Sequence, residues 1–339
     1  MVVRHQASSL LVIDFRYHLI SIVAVLLALS SGVVLGSGVL GGPLLDDVRQ
    51  RTEDVRKTSE EVRELADERL QVVDRYRAFT ESSIPYLLEG ALADVDVVVI
   101  TSDGTDQDII ESLADLIEAA GGELSGTLRF ENRFVLDDQI PADQLALAIG
   151  SVDSEPELLR AEAGRVIGAR LGAAASGQAG DPSHQRLMSL LESLAEADFI
   201  SVDAPDEGLV SGESVFLVVA GGPEDPPFPT SNLFTSLVQA LSTRDATVMV
   251  GEPAGSAWAI LGGDSGGGDL RRSVSTGGGI EELPGQLAAV LGLARAITEG
   301  PLHVGLGGDS DMILPSPAPP TPTDPELEPE PGSERDSTP

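Results

Sequence analysis

The run Leu19-Ile20-Ser21-Ile22-Val23-Ala24-Val25-Leu26-Leu27-Ala28-Leu29-Ser30-Ser31-Gly32-Val33-Val34-Leu35-Gly36-Ser37-Gly38-Val39-Leu40 lies in a window, Tyr17 to Leu45, that holds no Asp, Glu, Lys or Arg. At about 1.5 Å per helical residue, about 20 apolar residues cross the roughly 30 Å hydrocarbon core of a bilayer. One transmembrane helix over 19–42 is therefore expected, with a cytoplasmic N-terminus over 1–18. A cleaved signal peptide is the competing reading, because Arg4, His5 and Arg16 make a basic start and Ala28-Leu29-Ser30 is a loose small-x-small site. The apolar stretch runs on past Ser30, beyond the usual signal core of about 7 to 15 residues, and this favours the anchor.

The strict count of basic residues, Arg4 and Arg16 before the span against Arg49, Arg51, Arg56 and Lys57 after it, points the C-terminal part inward. Large C-terminal domains translocate largely regardless of nearby charge, and a short basic N-terminus is the usual start-transfer arrangement. The expected topology is a single-pass protein of the cell membrane with its C-terminal domain outside the cytoplasm.

With 21 Lys+Arg against 55 Asp+Glu the formal charge is -34, which repels nucleic acid and anionic lipid headgroups. No cysteine is present, which removes disulfides, thiolate metal sites and thiol nucleophiles. The sole lysine is Lys57, so neither a Walker A loop nor a Schiff-base lysine exists after it.

From 44 to 82 the chain is charge-dense and free of Gly after its start, with Val48, Val55, Val62 and Tyr76 at a seven-residue step and Thr52, Ser59, Ala66 and Val73 between them. This is a helix with a heptad seam, read as a coiled-coil stalk that Pro85 ends; a solitary amphipathic helix folded onto the next domain is the alternative. Arg69 falls on the seam, and Leu65, Val72 and Phe79 take over after a shift of three residues, a stammer.

From 92 to 308 the pattern alternates. Val95-Asp96-Val97-Val98-Val99-Ile100, Val215-Phe216-Leu217-Val218-Val219-Ala220 and Thr247-Val248-Met249-Val250 read as buried parallel strands. Helices are expected over 108–120, near 232–241 and over 283–298, with a helix-rich insertion over 142–197 packed on one sheet edge. The fold class is α/β: an N-terminal transmembrane helix, a coiled-coil stalk, then a Rossmann-like α/β domain with a mostly parallel sheet. Residues 315–339, nine prolines among 25 residues with six acidic side chains, read as a disordered Pro-rich acidic tail.

Several motifs tempt. Gly36-Ser37-Gly38-Val39-Leu40-Gly41 matches G-x-G-x-x-G but has no strand before it. Ala24, Ala28, Gly32 and Gly36 instead form a small-residue stripe on which two membrane helices can approach closely. Together with Val48, Val55 and Val62 they are the candidate oligomerisation residues. Gly263-Asp264-Ser265-Gly266-Gly267, followed by Asp269 and His303, fits a nucleophile elbow in letters but lacks the flanking strand and helix. In Ser102-Asp103-Gly104-Thr105-Asp106 the acids suit a helix cap better than a hard cation. His184 and Met188, at i,i+4, are the weak metal candidates for a soft ion. The chain is read as noncatalytic, without a stably bound cofactor.

The opening Asp14-Phe15-Arg16-Tyr17-His18-Leu19-Ile20-Ser21-Ile22-Val23-Ala24-Val25-Leu26-Leu27-Ala28-Leu29, with Gly32-Val33-Val34-Leu35-Gly36-Ser37-Gly38 after it, closely resembles that of the actinobacterial MctB family. The order that follows is similar over most of the chain. The resemblance implies a cell-envelope copper transport or efflux component, with copper as transported ion and a proposed pore. Relatives named SteB imply the alternative, a noncatalytic membrane-tethered scaffold for cell separation that works with SteA and a peptidoglycan hydrolase. The residues support the architecture, not copper: one helix encloses no pore, and no series of roughly ten-residue alternating strands suggests a barrel. The expected partners are a second copy or a higher oligomer and an envelope protein of the SteA or wall-hydrolase kind.

Overall fold

The computed structural model describes residues 15–39, 41–177, 181–205, 208–219, 221–222, 226, 228–254, 256, 260, 270–306 and 310–315. The chain divides into two compact units, 1–76 and 77–339.

The first unit holds α1 (Phe15–Val39) and the greater part of α2 (Gly41–Leu88). Among the described residues α1 is the helix long and apolar enough to cross a membrane, and none of its spanning window, Arg16–Gly36, is buried. On α2 the ion pairs Arg56–Glu60 (3.5 Å) and Arg77–Glu81 (3.7 Å) sit at i,i+4 and add a few tenths of a kcal/mol each. Both ends of α2 differ from the sequence expectation. Gly41-Gly42-Pro43 is its first turn rather than a joint, because a proline in the first turn loses no helical hydrogen bond. Pro85 lies inside the helix, which runs on to Leu88. Ser83 Oγ donates to the Phe79 carbonyl (2.7 Å) just before the proline, and burial of Leu88 with Ile84 and Leu87 pins the last turn.

In the second unit a seven-stranded sheet comprises β1 (Asp96–Ser102), β2 (Glu123–Phe130), β3 (Ile200–Asp203), β4 (Val215–Val219), β5 (Val248–Glu252), β6 (Ser275–Gly278) and β7 (His303–Gly305). Its order is β3-β2-β1-β4-β5-β6-β7, and every neighbouring pair is parallel except β2 with β3. The connecting helices are α3 (Gln107–Ala119), α4 (Gln139–Ile149), α5 (Pro156–Ala175), α6 (Pro182–Glu196), α7 (Ser231–Ser242) and α8 (Leu283–Glu299).

Strand β1 shows why the sheet is covered twice. Val98 and Ile100 belong to a core with the apolar sides of α4 to α7, and Val97 and Val99 to a second core with α3, α8 and the end of α2. An alternating side-chain direction with both faces apolar is what a continuous β-branched run encodes. The aromatic centre of the first core is Phe134, whose ring lies 5.4 Å from Phe130, 5.2 Å from Phe199 and 5.7 Å from Phe228.

The helical insertion is not confined to an edge. Its helix α5 lies against α7, because Gly164 and Gly168 present no side chain: a Cβ at Gly164 would stand 2.0 Å from the Leu233 carbonyl oxygen, and one at Gly168 2.4 Å from that of Leu237. The insertion also supplies the edge strand β3. At the other edge, β6 is Ser275-Thr276-Gly277-Gly278, where glycine admits α8: a Cβ at Gly277 would come within 2.9 Å of Ala289 Cβ.

Candidate functional site

The small-residue stripe stands on α1 as its spacing predicts, with Ala24, Ala28, Gly32 and Gly36 all exposed. A Cβ at Gly32 or Gly36 would meet nothing within 4 Å, so this face of the helix is bare. On α2, Val48, Val55 and Val62 are 54%, 68% and 62% exposed, and Leu65, Val72 and Phe79 are exposed as well. These side chains form an exposed apolar row along α2.

His184 and Met188 share one side of α6, and both meet the stretch that leads into β4. His184 Nε2 lies 3.2 Å from the Val210 carbonyl oxygen. That oxygen only accepts, so Nε2 donates to it, while Nδ1 is buried without a hydrogen-bond partner. Met188 is half exposed beside Gly208 and lines a cleft of about 430 Å³ with Leu191, Val202, Pro205 and Leu209. Among the described residues no three His, Cys, Asp or Glu side chains converge as a metal centre.

The other soft donors are scattered. Met249 is fully buried in the α3/α8 core. His303 opens β7, with its Nδ1 3.0 Å from Thr276 Oγ1, and the Met312 backbone returns alongside it by a bridge to Val304. The sequence reading did not pair His303 with Met312, which stand nine positions apart. Burial, then the Arg271 charge, holds the His303 pKa below the usual histidine value, against an opposing pull from Asp311. A histidine depressed in the folded state contributes stability that is complete above its unfolded pKa and is lost as pH falls through the folded value. Thermal stability should therefore fall below about pH 6.5, and His303→Gln should flatten that slope in a pH series of melting curves.

At the carboxyl end of β1 the acidic loop is committed to its own backbone. Asp103 Oδ1 accepts from the Gly104 N–H and Asp106 Oδ1 from the Asp108 N–H, each at 3.0 Å, the second being the N-cap of α3. Three hydroxyls of the same stretch, Thr101 Oγ1, Ser102 Oγ and Thr105 Oγ1, are buried without a hydrogen-bond partner. The sequence drew attention to the acids and missed the hydroxyls, because burial on both faces of a strand end cannot be read from letters. The elbow-like stretch 263–267 with Asp269, and tail residues 316–339, lie outside the described residues.

A bare apolar N-terminal helix, a long polar helix with an exposed apolar row, and an α/β unit with a mostly parallel sheet define a membrane-associated protein without an evident catalytic centre among the described residues. A family model described as copper transport outer membrane protein, MctB, matches residues 12–315, and the chain belongs to that family. It is 26% identical over 312 residues to a protein of Mycobacterium leprae (strain TN) named copper transporter MctB, a match that covers 86% of this chain and 95% of the relative. Proteins of the same name from Mycobacterium bovis and Mycobacterium tuberculosis (strain H37Rv) are 25% identical over 311 residues, with the same coverage.

Proposed function

We propose that the chain is a copper-export component of the cell envelope, anchored by α1 with its α/β unit outside the cytoplasm, and that it acts as an assembly rather than alone. The observation that carries this reading is the family match over 12–315. A lone helix offers an ion no polar path through the bilayer, so conduction requires further copies or partners. Copper is cargo in this account, and His184 with Met188 is a transient soft contact, not a resident centre. The chain carries no catalysis of its own. A deletion strain should become copper-sensitive; normal copper tolerance beside defective septa under the microscope would favour instead the noncatalytic scaffold for a wall hydrolase, which the exposed seam could equally serve.

The assembly is a parallel homodimer, with the stripe joining two α1 helices and the α2 seam continuing the contact as a coiled coil. Pairing in one segment raises the effective concentration for the other. Gly32→Ile places a branched side chain on the stripe and should weaken dimers severalfold in a membrane reporter assay. Arg69→Leu removes a charge from the seam and should strengthen association of the full chain in sedimentation. Unchanged association in both variants would sink the pairing. The α/β unit is Rossmann-like in this reading: the order β3-β2-β1-β4-β5-β6-β7 with helices on both faces supports a doubly wound sheet, from which the antiparallel β3 and the added β7 depart.

A further inference from the structure

The sheet order reverses direction at β1, whose neighbours are β2 and β4. In open α/β sheets, ligands bind outside the carboxyl ends of the strands at such a switch point. Three features meet there on the α5/α7 face.

The first is Ser102, the last residue of β1, fully buried and with an Oγ that has no hydrogen-bond partner. It is in register with Phe130 of β2, so the two side chains share a face, and the Phe130 ring lies 5.4 Å from Phe234 in the first turn of α7. Ser102 is thus next to the residue of β2 that touches the first turn of α7, on the same side of the sheet. The second is that helix start itself: Thr230 makes no side-chain cap, and no acidic residue occupies the first turn. Among the described residues no carboxylate compensates the positive end of the helix dipole.

The third is Arg160 of α5, 4% exposed. Its Nη1 donates to the Phe134 and Val135 carbonyls, each at 3.1 Å, while its Nε is buried without a partner. Helices α5 and α7 run parallel, Gly164 meeting Leu233 and Gly168 meeting Leu237. Arg160, one turn before Gly164, is therefore level with the N-terminus of α7, and Phe134 links it to the same aromatic cluster as Ser102. Desolvation lowers the Arg160 pKa, with Glu157 as the opposing charge, and no carboxylate forms an ion pair with it among the described residues. A buried cation without a direct ion pair is costly, and water satisfies hydrogen bonds without neutralising the charge.

We propose that Ser102 Oγ, Arg160 and the first-turn N–H groups of α7 bind a small oxyanion, the phosphate or carboxylate group of a ligand, at the carboxyl end of β1. A guanidinium and helix N–H groups only donate, and the hydroxyl is free to donate as well, so the complementary group is an anionic acceptor. This inference is independent of copper.

The test uses the full chain in detergent, titrated with sodium phosphate and separately with sodium acetate, at ionic strength matched with chloride, and read by thermal unfolding and calorimetry. A saturable rise in melting temperature over chloride is expected. Ser102→Ala removes an unpartnered hydroxyl, so the anion-free protein should be as stable as the parent or more so, while its affinity for the anion falls about tenfold or more. Arg160→Lys, which keeps the charge and loses the Nε donor, should abolish the response. A response to phosphate alone assigns a phosphoryl ligand, and one to acetate alone a carboxylate ligand. No saturable response to either anion, or a response that Ser102→Ala leaves intact, overturns the proposal.

Discussion

Gly164→Ala should destabilise the α/β unit by at least about 3 kcal/mol, at the upper end of what overpacking costs. The added Cβ would meet backbone on every side: 2.0 Å from the Leu233 carbonyl oxygen, 3.0 Å from its carbon and 3.1 Å from the Leu237 nitrogen. No rotamer relieves a clash with backbone, so α5 and α7 must part, and contacts made by Ile167, Leu171, Leu237 and Leu241 loosen with them. Urea unfolding of the full chain, followed by circular dichroism, should show a large drop in midpoint with an unchanged slope. Gly150→Ala is the control: that glycine has φ +73 but nothing within 4 Å of a Cβ, so only local strain of about 1 kcal/mol is expected. Equal losses in the two variants would contradict the close helix contact.

Phe134→Ala should cost about 3 to 5 kcal/mol, because it removes a fully buried ring and leaves a cavity. Three further phenylalanines lose an aromatic neighbour, two of them in edge-to-face geometry, which adds to the loss from area alone. The same turn offers its carbonyls to Arg160, so disturbing it also exposes that guanidinium to a poorer environment. Phe79→Ala makes the contrast. Phe79 is 69% exposed on α2, and its loss should leave urea unfolding of the α/β unit within about 0.5 kcal/mol of the parent.

These two sites mark where the sequence was legible and where it was not. Strands β1, β4 and β5 declare themselves by unbroken β-branched runs, and α3 by its stripe Ile109, Ile110, Leu113, Leu116 and Ile117. Strand β6 does not, since Ser275-Thr276-Gly277-Gly278 has turn composition; only the approach of α8 shows why glycine is needed there. Strand β2, Glu123–Phe130, carries Gly126 at φ +153, where the Asp203 carbonyl oxygen would lie 2.5 Å from a Cβ, so a residue that suggests a break serves a close strand contact.

The functional surface divides in the same way. The rows on α1 and α2 are periodic, and helices preserve period, so the exposed helical placement of Ala24, Ala28, Gly32, Gly36, Val48, Val55 and Val62 could be read from spacing. Ser102 and Arg160 are 58 positions apart and belong to no motif; what makes them notable is a buried polar atom without a partner, Oγ in the one and Nε in the other, which exists only in the fold. His184 and Met188 could be placed on one helix side from spacing, but not their neighbours, the Val210 carbonyl and Gly208.

The central claim is that this protein moves copper out of the cell as a membrane-tethered pair. Cell-associated copper should be measured by elemental analysis in a deletion strain grown at a fixed sublethal copper level, complemented with the parent chain or with Gly32→Ile at equal expression. The account predicts several-fold higher copper in the deletion strain, return to normal with the parent chain, and little or no return with Gly32→Ile. Copper that stays at the parental level in the deletion strain would contradict it.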